Sequence, residues 1–213
     1  MLKMTMRKAT HVVPAMLAWY LLLSRDVMSE EYVWIVKCCT ALFVVLLVGD
    51  DARRKSGKIH ALYERTMWMK PRERKQLGAS VYYFTGVMIN LYLGVMMPTY
   101  RVFFVIGILN LGFGDPTAFL VGKNVPLVTL YKSKTLGGSL ACFAICALIT
   151  QNVLDTWALT APKTHDFNGT STSLALVAGL TSALVELLSG HDNLFIPVVS
   201  SLSMVAHDIY YSY

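Results

Sequence analysis

Seven apolar segments, at about residues 10–24, 32–49, 79–97, 100–121, 137–157, 173–189 and 193–210, leave this chain few ways to fold. About 20 apolar residues cross the hydrocarbon of a bilayer, and shorter runs manage where their polar ends reach the interface. Inside lipid every backbone polar group needs an internal partner, so segments of this length are expected as α-helices. The 213 residues are 55% hydrophobic and 15% charged, with a mean hydropathy of +0.51, a balance that excludes an ordinary soluble domain. No internal repeat and no Pro/Gly/Ser-rich linker divides the chain, so residues 1–213 read as one all-α integral membrane domain, a bundle of about seven helices. The first segment lacks a small-residue cleavage site and reads as a retained helix rather than a signal peptide.

The net charge of +6 does not point to nucleic acid, because the basic residues lie between apolar spans in the pattern of a polytopic protein. Lys3, Arg7 and Lys8, nine residues between 50 and 78, and Lys123, Lys132 and Lys134 fall on one side, fifteen in all. Arg25, Arg101 and Lys163 fall on the other, and Lys37 lies inside the second span. Cytoplasmic loops carry the excess of Lys and Arg, so the N-terminus and these connections are expected in the cytoplasm. Gly190-His191-Asp192 joins them there. Asn168-Gly169-Thr170, an acceptor pattern for N-glycosylation, falls on the far side and agrees with that orientation. In a eukaryotic cell the endoplasmic reticulum membrane is the expected location. Cys38 and Cys39 are adjacent and Cys142 and Cys146 are four apart, so neither pair has the spacing of a zinc or redox site.

Within the fourth segment stands a carboxylate, in Gly114-Asp115-Pro116. If that span begins near Tyr100 on the non-cytoplasmic side, Asp115 lies about 21 Å along a helix that crosses roughly 30 Å of hydrocarbon. That places it in the cytoplasmic half. Gly112 and Gly114 weaken the helix and Pro116 cannot donate to the carbonyl four residues earlier, so a break is expected here, with Asp115 capping a half-helix. Two readings are open: an aspartate that caps a kink, or a functional charge whose burial a ligand offsets.

Further residues line up with it. Gly114-Asp115-x-x-Ala118, Gly122-Lys123, Lys134-Thr135-x-x-Gly138-Ser139, and Glu186 followed by Asp192-Asn193-Leu194-x-x-Pro197 together resemble the polytopic lipid kinases, the family of phytol kinase, dolichol kinase and CTP-dependent diacylglycerol kinase. The family is related to the phosphatidate cytidylyltransferases. Arg7-Lys8-x-x-His11 is similar to its N-terminal basic element, and Gly49-Asp50-Asp51-x-Arg53 and Gly78-x-x-x-Tyr82-Tyr83 fit less sharply. The resemblance spans nearly the whole chain. One departure stands out: the family carries a second glycine soon after the first, whereas Gly122 is followed by Lys123-Asn124-Val125-Pro126, so the turn here must be built differently.

The resemblance implies a kinase that moves the terminal phosphate of CTP to the hydroxyl of a membrane lipid, with magnesium. Diacylglycerol is the first expected acceptor and phytol or a polyprenol the next. Such transfer needs little beyond held phosphates, neutralised charge and an aligned hydroxyl. Neither a G-x-x-x-x-G-K-[ST] loop nor the elements of protein kinases are present. Asp115 is the first candidate for a magnesium ligand, since a hard cation takes carboxylate and phosphate oxygens. Asp192 is the second, or the base for the lipid hydroxyl. Glu186 orients a lysine or the metal shell, or pairs with a basic residue such as Lys37. Lys132 and Lys134, with free amides at Gly137-Gly138-Ser139 where a helix starts, offer cations and donors to a triphosphate. Gly122, Lys123, Thr135, Gly138, Ser139 and Asn193 join the nucleotide set through the motif, and Arg7 and Lys8 through the N-terminal element. For Lys123 and Lys132 a plain positive-inside anchor is the competing reading. A cytidylyltransferase of the phosphatidate type and a small non-enzymatic transporter remain alternatives.

Overall fold

A computed structural model of the chain describes residues 12–23, 30–66, 76–131, 134–160 and 167–212. Its helices are α1 (Val12–Leu23), α2 (Glu31–Lys55), α3 (Gly57–Thr66), α4 (Ala79–Met96), α5 (Arg101–Asn124), α6 (Leu136–Thr160), α7 (Ser171–Leu188) and α8 (Asp192–Tyr210). A single 3₁₀ turn, Pro98–Tyr100, leads into α5, and two short strands, β1 (Thr129–Tyr131) and β2 (Lys134–Thr135), pair antiparallel between α5 and α6.

A helix lies over each of the seven apolar segments. Five of them are long and apolar enough to cross a membrane: α2, α4, α5 with its leading turn, α6 and α7. The described part of α1 has 12 residues, about 18 Å of helix against roughly 30 Å of hydrocarbon. α8 carries Asp192, His207 and Asp208 and packs its apolar face inward, against α4, α5 and α7.

The core is built around α5. It touches α1, α4, α6, α7 and α8, and Phe103, Phe104, Ile106, Leu109 and Leu111 are wholly enclosed. The expected break at Pro116 does not occur: the proline lies inside a continuous helix, and Asp115 is an interior residue rather than a cap. Proline removes one backbone hydrogen bond, and in buried helices the surrounding packing holds the chain through that gap. Five neighbouring helices do so here.

Between α5 and α6 the contact is a seam of small residues. A methyl group added at Gly114 would meet Cys146 Sγ at 2.7 Å, one at Gly138 would meet the Ala118 carbonyl at 2.9 Å, and one at Gly122 would meet the Gly138 Cα at 3.2 Å. Positions 114, 118 and 122 recur every four residues, and so do 138, 142 and 146 on the antiparallel partner. Small residues at that spacing let backbones approach closely, which replaces the hydrophobic drive that lipid cannot supply. Farther along the seam Asn110 Nδ2 donates to Thr150 Oγ1 at 3.4 Å.

The contact of α5 with α8 is equally close. A carbon at Gly107 would lie 2.5 Å from the Pro197 carbonyl and 2.9 Å from Asn90 Nδ2, in a region where Ser201 Oγ donates to Asn90 Oδ1 at 2.8 Å. Gly107→Ala must therefore push α8 away. Overpacking of this kind costs about 1–3 kcal/mol, so we expect a clearly lower unfolding midpoint in detergent, and an unchanged midpoint would show that the two helices yield freely.

Candidate functional site

One end of the bundle collects the polar motifs. At the C-terminus of α2, Asp50 Oδ1 accepts from Arg53 Nε at 3.0 Å and from the Gly78 amide at 3.3 Å, while Arg53 donates to the Gln76 carbonyl at 2.9 Å. Arg53 is buried, so this pair works as a clamp on the start of α4. Nearby Tyr82 stacks on His191, ring centres 4.6 Å apart. These contacts give the weaker Gly-Asp-Asp and Gly-Tyr-Tyr motifs a structural role.

The turn after α5 is built without a second glycine. Leu127 takes φ 56°, a left-handed conformation uncommon for a side-chain-bearing residue. Gly137 then packs so closely on the Val125 carbonyl that no side chain fits there. The start of α6 is capped from within: Thr135 Oγ1 accepts from the Gly138 amide at 3.2 Å, the Gly137 amide donates to the Pro126 carbonyl at 3.2 Å and the Leu136 amide to the Val128 carbonyl at 2.8 Å. The amides of Gly137 and Gly138, expected to be open to a phosphate, are thus occupied, because the hairpin and the cap satisfy them first. Val125, Leu127, Val128, Leu130 and Tyr131 are exposed on this hairpin.

Lys134 extends from β2 across the end of the bundle. Its Nζ donates to Glu186 Oε1 of α7 at 2.8 Å and to Asp192 Oδ2 of α8 at 2.7 Å. Ser139 Oγ, one turn into α6, donates to Glu186 Oε2 at 2.9 Å. Asp192 Oδ1 accepts from the Asn193 amide at 2.9 Å, and Asn193 Oδ1 is buried with no hydrogen-bond partner among the described residues. Hence two motifs about fifty residues apart in sequence meet in one network. The partner of Glu186 is Lys134, not Lys37, which is exposed on α2. Burial alone pulls the Lys134 ammonium below its ordinary value, but Asp192 and then Glu186 outweigh that, and the net direction is upward. The lysine is a fixed positive charge.

Asp115 lies deeper, nine residues before the end of α5, and is only 3% exposed. Its neighbour Gly114 packs on Cys142 and Cys146 of α6, and Ser139, which donates to Glu186, stands one turn before Cys142. Tyr83 of α4, 2% exposed, is enclosed in the same core as α5. Sequence reasoning noted Tyr83 as part of a motif and gave it no role; its position one residue after Tyr82 in Gly78-x-x-x-Tyr82-Tyr83 was the available signal.

Of the remaining candidates, Lys123 is exposed near the end of α5, and Thr135 Oγ1 also donates to the Gly122 carbonyl at 3.4 Å. Arg7, Lys8, His11 and Lys132 lie outside the described residues. Among the described residues no three of His, Cys, Asp and Glu gather as a metal-ligand group, so Asp115, Glu186 and Asp192 do not form one ligand set. The physical reason is that Glu186 and Asp192 are drawn to Lys134, while Asp115 is held nine residues inside α5. Compared with protein-family models, curated proteins and solved structures, the chain matches none.

Proposed function

We propose that this chain is a membrane-embedded lipid kinase of the CTP-dependent type, with seven spans, its N-terminus and its site in the cytoplasm, and the endoplasmic reticulum as its membrane in a eukaryotic cell. The observation that carries the reading is the meeting of Lys134, Glu186, Asp192 and Ser139 at one end of the bundle, with Asp115 buried beneath them. A permanent cation held by two carboxylates suits a site that exchanges one set of anions for another. On binding, Lys134 would turn from Asp192 toward the phosphates of CTP, and Asp192 would be left to accept the proton of the acceptor hydroxyl. The hydroxyl oxygen bonds to the terminal phosphorus as its bond to the bridging oxygen breaks, and CDP leaves.

Magnesium fits this arrangement as an ion carried mainly by the nucleotide's phosphates. Such ions need one or two protein carboxylates rather than a dedicated cage, and Asp115 would supply one. When bound, the ion would supply charge neutralisation on the phosphates. Diacylglycerol is the first proposed acceptor and an isoprenoid alcohol such as phytol the second.

The test is direct. Purified protein in mixed lipid micelles, given CTP labelled at its terminal phosphate, should pass label to the lipid. Label found only in pyrophosphate would instead identify a cytidylyltransferase and end the kinase reading; no consumption of CTP or ATP would end both.

A further inference from the structure

A cavity of about 600 Å³ lies between α1, α2, α4 and α5, away from the charged network. Its walls come from Leu17 of α1, Leu42 and Phe43 of α2, Val87 of α4 and Ile108 of α5, with Cys39, Ser80 and Tyr83 also in the lining. Two of the helices that wall it hardly meet: α1 packs on α5 and α2 packs on α4, and the gap between α1 and α2 is one side of the cavity. In a bundle embedded in lipid such a gap opens sideways to hydrocarbon, not to water. Binding sites of this kind are mostly apolar with a few placed polar groups that orient the ligand. Here the groups placed to orient a ligand are Ser80 and Tyr83, both near the start of α4.

We propose that this cavity seats one aliphatic chain of a lipid alcohol, entered from the bilayer between α1 and α2, with its hydroxyl end at Ser80 and Tyr83, the end of α4 where Tyr82 stacks on His191 next to Asp192. The inference rests on the lipid-acceptor reading and adds the seat and the size of the chain. At roughly 30 Å³ per methylene-sized unit, close to a water molecule's share of liquid volume, the space holds about twenty such units. That is one long chain. A two-chain lipid would place its second chain outside the protein, and a longer polyprenol would extend into the bilayer.

The seat is tested without nucleotide. A long-chain aliphatic alcohol carrying a diazirine near its tail is incorporated in vesicles with the full chain, irradiated, and the modified peptides are located by mass spectrometry. Modification should concentrate on residues 13–18, 35–46 and 80–91. Leu17→Trp and Leu42→Trp fill the cavity from its mouth, and since Leu17 and Leu42 are 46% and 70% exposed neither disturbs the core. Each should cut that modification roughly tenfold, while Leu180→Trp on a lipid-facing side of α7 should not. Modification spread evenly over the lipid-facing helices, or unaffected by Leu17→Trp and Leu42→Trp, overturns the seat. Phosphate transfer that persists in that case leaves the kinase reading standing without this seat. Specific modification without transfer from any nucleotide leaves the seat and removes the kinase.

Discussion

Asp115→Asn should abolish lipid phosphorylation, with a loss of roughly 10²–10³-fold or more in turnover, while the protein remains folded. The change keeps the shape of the side chain and removes only its charge. Asp115 is 3% exposed in the middle of the helix that touches five others, so a substitution that altered volume would confound folding with chemistry. A carboxylate at such depth is costly, and intramembrane carboxylates commonly mark the place where a cation or a reaction uses the charge. If Asp115 served structure alone, turnover per folded molecule should be near normal whatever the change in stability. The contrast is Asp208, a second buried carboxylate at the opposite end of the bundle, where Oδ1 accepts from the Gly169 amide at 2.9 Å. Asp208→Asn should lower the unfolding midpoint and leave turnover per folded molecule intact. Equal turnover for Asp115→Asn and the parent protein would refute the assigned role.

The helices were legible because hydrophobicity in a membrane chain is spent on length: each expected segment coincides with a helix, to within a few residues at most ends. What the sequence obscured was tertiary. Proline at 116 reads as a break when only the local hydrogen bond is considered, and the five helices around α5 decide otherwise. Likewise, glycines at 137 and 138 read as open donors. Their amides are claimed by Pro126 and Thr135, groups whose proximity depends on a hairpin that the residues before α6 do not announce. The charged network was half legible: motif order brought Lys134, Glu186 and Asp192 to one membrane face, but ionic partners follow from three-dimensional distance. The cavity beside Tyr83 was invisible, since a void between helices leaves no trace in hydropathy.

The second large effect is expected at Lys134. Replacing it by Met leaves Glu186, whose side chain is 6% exposed, and Asp192, 18% exposed, as neighbouring anions with no ammonium between them. Removing one partner of a fully buried pair costs about 3–5 kcal/mol, and because the Lys134 side chain is itself a quarter exposed we expect about 2–3 here. Activity should vanish in parallel. The two losses can be separated, because Glu186→Gln in the Lys134→Met background removes the stranded charge and should restore part of the stability without restoring turnover. Recovery of both together would make Lys134 a structural tie alone. The pH dependence follows from the direction of its shift. A lysine whose folded value is raised contributes fully below its unfolded value, about 10.4, and loses that contribution only as pH climbs through the folded value above it. Between pH 7 and about 9 the difference in unfolding midpoint between parent and Lys134→Met should therefore hold constant on the lysine's account, narrowing only in stronger base. A gap that closes already near neutrality would mean the ammonium is not held by Asp192 and Glu186 as the distances of 2.7 and 2.8 Å require.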